Sequence, residues 1–215
     1  MPFSRRATTW AMLALPAVSC SNNAGTQNGS TVSATKVCNS LLSRAAAGQL
    51  DELTGLSKFT DEYKQVPAYS SALRKVEESK DRRKEQELCR ITADLDKATL
   101  LTVAISFWWS DVQEVRPRPE TISRMKSGAL TLYPIGVHSE ANDFSATVQF
   151  ACTDSNSRRN DRLLRAGLWT ANTKLTGQAG RNARITILNA AARKIARQLD
   201  CLDTANLPET FHKVT

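Results

Sequence analysis

Between residues 100 and 109 the chain reads LLTVAISFWW, in which Leu101, Val103, Ile105, Phe107 and Trp109 alternate with Thr102, Ala104, Ser106 and Trp108. Successive side chains of a strand point to opposite faces, so this period of two predicts a strand with one face on a core. LCRIT, from Leu88, predicts a shorter strand before it, joined through a polar turn at residues 94–97 as a hairpin. The same period returns in FSATVQFAC, which turns Phe144, Ala146, Val148 and Phe150 inward after a turn near Asn142 and Asp143. ALTLYPIGVH precedes that turn, and its Pro134 and Gly136 demote it to an irregular or edge strand. RLLRAGLWTAN, which follows a polar loop over residues 153–161, predicts one more strand.

Elsewhere the period lengthens to that of a helix. Ile185, Leu188, Ala192, Ile195 and Leu199 step by three and four, predicting a long C-terminal helix with Arg184, Arg193, Lys194 and Arg197 on its other faces. Val37, Leu41, Leu42 and Ala45 share one face of a helix over residues 36–47, with Gly48 as its stop. LDELTGLSKFTDEY reads as loop or short helix. Pro67 suits the first turn of a second helix whose Tyr69, Ala72, Leu73 and Val76 face the core. The charged run over residues 74–87 reads as a solvated helix end and loop, and a short helix follows Pro119. Helices bracketing hairpins predict an α+β fold: a mainly antiparallel sheet built from hairpins, N-terminal helices and a long C-terminal helix.

The first 35 residues follow neither period. Arg5 and Arg6 precede an apolar run from Trp10 to Val18, and SCSNNAGTQNGSTVS is then abruptly polar. A basic end, an apolar core and a small-residue exit make a secretory signal peptide over residues 1–19. Its core is far shorter than the roughly 20 residues needed to span a bilayer, and the run at residues 100–109 is also too short and includes Thr102 and Ser106. SRR at residues 4–6 hints at twin-arginine export, but Ala7 and Thr8 stand where apolar residues should follow.

The exit AVSC resembles the bacterial lipobox, in which the cysteine is acylated before the leader is cut on its N-terminal side. Val18 and Ser19 fit that pattern, while Ala17 stands where Leu, Val or Ile is usual. Ala17 and Ser19 equally satisfy an ordinary signal-peptidase cut, which would release a secreted chain. Cysteine parity favours acylation. The cysteines are Cys20, Cys38, Cys89, Cys152 and Cys201, an odd number for an exported chain. With Cys20 lipidated, four remain for two disulfides in an oxidising compartment. Residues 20–35, uncharged throughout and rich in Ser, Thr, Asn and Gly, then form a flexible tether. Residues 36–215 form a single domain, large enough for a core of its own. Four cysteines permit three connectivities. Cys38 in the first helix with Cys89 at the first hairpin, and Cys152 at a strand end with Cys201 at the last helix end, is the pairing expected.

Composition narrows the partners. The formal charge is +8 and falls to +6 when Arg5 and Arg6 leave with the leader. Export argues against nucleic acid, so the charge either confers solubility or draws the domain to an anionic surface such as lipid headgroups or cell-wall polymer.

The motifs VCNSLL, LCRI, FAC and LDC resemble those of uncharacterised lipoproteins of actinobacteria, over most of residues 37–201. That resemblance implies a surface-anchored domain and supplies no catalytic residue.

Candidate chemistry is sparse. His138 and His212 are the only histidines, they lie far apart, and no zinc-ligand spacing occurs, so no metal or cofactor is expected. No G-x-S-x-G elbow is present. SRMK at residues 123–126 matches S-x-x-K, but KLTG at residues 174–177 carries an inserted Leu175 and no S-D-N accompanies it. Asp111, Glu114, Glu140 and Asp143 flank the strands without the spacing of a glycosidase pair. TGQAGRNA before the last helix serves either as a flexible entry or as an anion site at a helix N-terminus. Adjacent on a strand, Trp108 and Trp109 face opposite ways: one belongs to the core, the other lies exposed, under a helix or in a ligand groove, and Trp169 could join the cluster. The reading is a membrane-anchored, non-catalytic extracytoplasmic domain that binds a cell-wall polymer, envelope protein or small ligand. The alternatives are an envelope hydrolase, for which a pocket joining the loops of Asp111 and Glu114 to those of His138 and Asp143 would speak, and an accessory envelope protein.

Overall fold

The computed structural model describes residues 31–63, 70–71, 73–74, 84–94, 100–111, 119–152 and 162–211. The leader, Cys20, most of the expected tether, Pro67, Tyr69, Ala72, Val76, Glu114 and His212 lie outside those residues.

The strands are β1 (Thr60–Tyr63), β2 (Gln86–Asp94), β3 (Leu100–Asp111), β4 (Thr131–Leu132), β5 (His138–Ala141), β6 (Ser145–Ala151) and β7 (Arg162–Ala171). They form one seven-stranded sheet in the order β1-β2-β3-β7-β6-β5-β4, with every pairing antiparallel. β7 therefore lies between β3 and β6, and the edges are the four-residue β1 and the two-residue β4. Short edges limit the unpaired backbone offered to another chain. The helices that organise the rest are α1 (Arg44–Thr54), α2 (Pro119–Lys126) and α3 (Gly177–Gln198). The architecture is α+β.

One face of the sheet makes the core. Leu101, Val103, Ile105, Phe107 and Trp109 are all buried on it, as their spacing predicts. Val148, Phe150, Leu164, Ala166 and Leu168 continue it across β6 and β7. Trp109 donates its indole N–H to the carbonyl of Leu73 at 3.0 Å, so its one polar atom is paired. α3 packs on β5, β6 and β7 and also against α1, through buried Ala46, Ala47, Leu50 and Leu53. Its own Ala183, Ala191, Ala192 and Ala196 are fully buried and let its backbone come close to those neighbours.

Three expectations need correction. The helix expected over residues 36–47 is two elements. Cys38, Asn39 and Ser40 have φ of 50, 56 and 55°, a left-handed turn that costs roughly 1–2 kcal/mol per residue. The turn is held by the Asp61 carboxylate, which accepts from Cys38 N–H, and by Lys194 Nζ, which donates to the carbonyls of Asn39 and Ser40 at 3.3 and 2.7 Å. α1 starts afterwards, with Ser43 Oγ accepting from Ala46 N–H at 3.3 Å. Gly48 lies inside it, Ala45 is exposed, and the stop is Gly55 at φ 73°. Phe144 points to solvent, 69% exposed, because it sits in the turn before β6 begins. Arg184 is not on an outer face of α3: its exposure is 0%.

Cys38 is bonded to Cys89 and Cys152 to Cys201, with Cα atoms 5.7 and 4.9 Å apart, the pairing expected from chain order. The first ties the left-handed turn to β2 and the second ties the end of β6 to the end of α3. Such bonds mark a protein matured outside the reducing cytoplasm. Among the described residues no helix is long and apolar enough to cross a membrane.

Candidate functional site

The sheet face away from α3 carries the residues that the core does not use, set in rows by the strand register. Trp108, Arg165, Gln149 and His138 form one row across β3, β7, β6 and β5. Glu87, Ser106, Gly167, Thr147 and Glu140 form the next, extending to β2. Arg90, Ala104, Trp169 and Ser145 form the third. The middle of this face is small side chains, and two indoles stand at its sides.

Gly167 explains how the first indole lies. A Cβ at that position would come within 2.9 Å of Trp108 Cη2 and Cζ3, so the missing side chain is the slot into which Trp108 settles. Arg165 places its guanidinium over the Trp108 ring, 5.3 Å from the centroid, a cation–π arrangement. Trp169 lies over the short Ala104 and Ser145 and stays 51% exposed. The groove has a volume of about 460 Å³ and is lined by both indoles, the Ser106, Ser145 and Thr147 hydroxyls, Gly167 and the Glu87–Arg90 pair. Arg90 Nε donates to Glu87 Oε1 at 3.0 Å, which holds the rim in place. That volume falls in the range of roughly 300–1,000 Å³ usual for small-ligand sites.

Beyond the groove, His138 Nε2 and Glu140 Oε2 are 3.2 Å apart. That hydrogen bond holds the Glu140 carboxyl below its ordinary range against the opposing effect of burial, with Arg165 and Arg124 assisting. No serine nucleophile joins the pair on its own strand, because the buried Ser139 Oγ faces the other way and donates to the carbonyl of Tyr133 at 2.9 Å. Gln149 Nε2 and Arg165 Nε, neighbours across β6 and β7, are buried donors with no hydrogen-bond partner among the described residues.

The other residues singled out from sequence are dispersed. Asp111 pairs with Arg162 at the end of β3, three strands from His138 and Glu140 on β5, so the described residues bring no joint pocket together there. Asp143 leaves the group altogether and accepts from Arg181 Nε of α3 at 3.0 Å. Ser123 and Lys126 lie on the exposed α2. The entry to α3 is occupied by its own network: Tyr133 Oη donates to Asn182 Oδ1 at 2.8 Å, and Gln178 Nε2 donates to both. Burial pushes the Tyr133 phenol up to about 12. Among the described residues no three His, Cys, Asp or Glu side chains are grouped to hold a metal ion. Gly167 and Arg165 went unread in the sequence. A lone glycine two residues before a tryptophan in a strand is the signal that could have found the groove.

No family model, curated protein or solved structure matches the chain.

Proposed function

We propose that the chain is a membrane-anchored extracytoplasmic lipoprotein, akin to those of actinobacteria, whose domain binds a glycan of the cell envelope on the open sheet face and does not transform it. The observation that carries the binding reading is the groove between Trp108 and Trp169. A sugar ring offers C–H groups that pack on the electron-rich face of an indole, and hydroxyls at its rim that bond Ser106, Ser145, Thr147 and the Glu87–Arg90 pair. Anchoring is supported by the leader, by AVSC and by the cysteines. The two disulfides use Cys38, Cys89, Cys152 and Cys201, leaving Cys20 for acylation. In that reading Cys20 carries diacylglycerol and an amide-linked palmitate, and the tether holds the groove within reach of the wall.

Titration of soluble cell-wall oligosaccharides, followed by tryptophan fluorescence, tests the groove. Trp169→Ala is expected to weaken binding about tenfold or more, since tryptophans contribute disproportionately to binding surfaces, and Trp169→Phe less. Undiminished binding by Trp169→Ala overturns the site. Release of shortened oligosaccharides would replace binding by the hydrolase reading. The mass of the mature chain tests the anchor: an unmodified Cys20 on a chain recovered from the medium refutes it.

A further inference from the structure

A second cleft lies on a face of α3 that the sheet does not cover. Thr186, Asn189, Arg193 and Arg197 step by three and four along one stripe of the helix, with Lys194 beside them. Residues 40–43 and Ala45 wall the stripe on one side, and Glu209 and Phe211 close it on another, around a volume of about 340 Å³. Asn189 is 2% exposed; its Nδ2 donates to the carbonyl of Pro208 at 2.8 Å, while Oδ1 has no partner among the described residues. A buried oxygen left unpaired is costly, so a ligand that brings a donor to this acceptor gains by pairing it. Around it the cleft is cationic. Arg193, Lys194 and Arg197 carry three positive charges against Glu209, and among the described residues none of the three forms an ion pair. Arg193 Nη1 donates to the carbonyl of Leu207 and Lys194 to the left-handed turn, which fixes both heads at the rim. Ser43 and Ala45 bring the positive end of the 11-residue α1 to the same cleft.

We propose that this cleft binds a phosphorylated polyol: the phosphate against Arg193, Arg197 and the N-terminus of α1, a hydroxyl donating to Asn189 Oδ1, and the carbon skeleton against Phe211. A zwitterion would also offer a donor, but a cleft with a net charge of +2 among its lining residues favours an anion over a neutral ligand. The same chemistry occurs in lipid headgroups and in soluble phosphate esters. The site stands apart from the sheet groove and does not depend on it.

Calorimetric titration of sn-glycerol 3-phosphate and of inorganic phosphate into the exported chain, carrying Cys20→Ala to prevent acylation, tests the assignment. Glycerol 3-phosphate is expected to bind about fivefold tighter than phosphate alone. Exposed Arg197→Gln should weaken both by about tenfold, and Asn189→Ala should abolish the preference while leaving the affinity for phosphate. Should Asn189→Ala fail to fold, Arg197→Gln and the preference of the unaltered site still decide. Equal affinity for the two probes, full affinity in Arg197→Gln, or no heat at millimolar concentrations overturns the proposal. Vesicles of phosphatidylglycerol in phosphatidylcholine distinguish the sources: binding competed by glycerol 3-phosphate assigns a headgroup, and binding of the soluble probe alone assigns a free ester. Because the probes and variants differ from those of the sheet groove, failure at one site leaves the other reading standing.

Discussion

Arg184 takes a guanidinium into a place closed to solvent. Its Nε and Nη2 donate to Thr170 Oγ1 and Thr173 Oγ1 at 2.9 and 2.6 Å, and Nη1 has no partner among the described residues. Burial lowers its pKa, opposed by the charge of Asp143 and reinforced by that of Arg181. Two hydroxyls are weak compensation for a buried charge, and breaking such an arrangement differs from replacing it. Arg184→Met, of similar length, is therefore expected to leave stability unchanged or to raise it by about 1–4 kcal/mol. Arg184→Ala should lose about 2–5 kcal/mol through the cavity. Urea unfolding of both variants decides, and an equal loss in the two would show that the hydroxyl bonds outweigh the charge. On the helical wheel Arg184 reads as an outer-face residue. It is buried because α3 is enclosed by the sheet and by α1, and a single apolar stripe does not describe a helix enclosed on more than one side. The role of Gly167 went unread for a related reason, since the strand pattern flags the glycine but what it admits is Trp108 from a strand about 60 residues away.

At the level of elements, β3 and β6 were legible because alternation over seven or more residues has only one extended solution with a dry face. The first helix was not. Val37, Leu41 and Leu42 are buried as expected, yet they reach the core through a left-handed turn rather than along one helical face. Propensity disfavours that turn, and tertiary partners hold it: the Cys38–Cys89 bond, the Asp61 carboxylate and Lys194. The corrected boundary has a testable sign. Gly48 lies inside α1, has no positive φ, and a Cβ there would meet nothing within 4 Å. Gly48→Ala is expected to stabilise the domain by about 0.5–1 kcal/mol. A helix stop at that position would instead make the alanine destabilising, so the direction of the shift in the urea midpoint separates the two.

For the molecule as a whole, the two disulfides close loops of similar span, with sequence separations of 51 and 49. Loop-closure entropy assigns about 4 kcal/mol to each, a large fraction of the roughly 5–15 kcal/mol that stabilises a typical domain. Cys152→Ser with Cys201→Ser is therefore expected to lower the unfolding free energy by about 4 kcal/mol, measured by denaturant titration under oxidising conditions. A loss below about 1 kcal/mol would mean that β6 and α3 are held by packing alone.

From the sequence alone follow the α+β class and the strands and helix that make the core, together with the expectation of a leader and of an anchor at Cys20, because each rests on local periodicity or composition. The place of β7 between β3 and β6 came only with tertiary structure, as did the groove between Trp108 and Trp169 and the cleft beside Asn189. Those depend on which strands become neighbours and which side chains meet across long loops. Contacts of that kind are decided by the packing of the whole chain, and no short window of residues contains them.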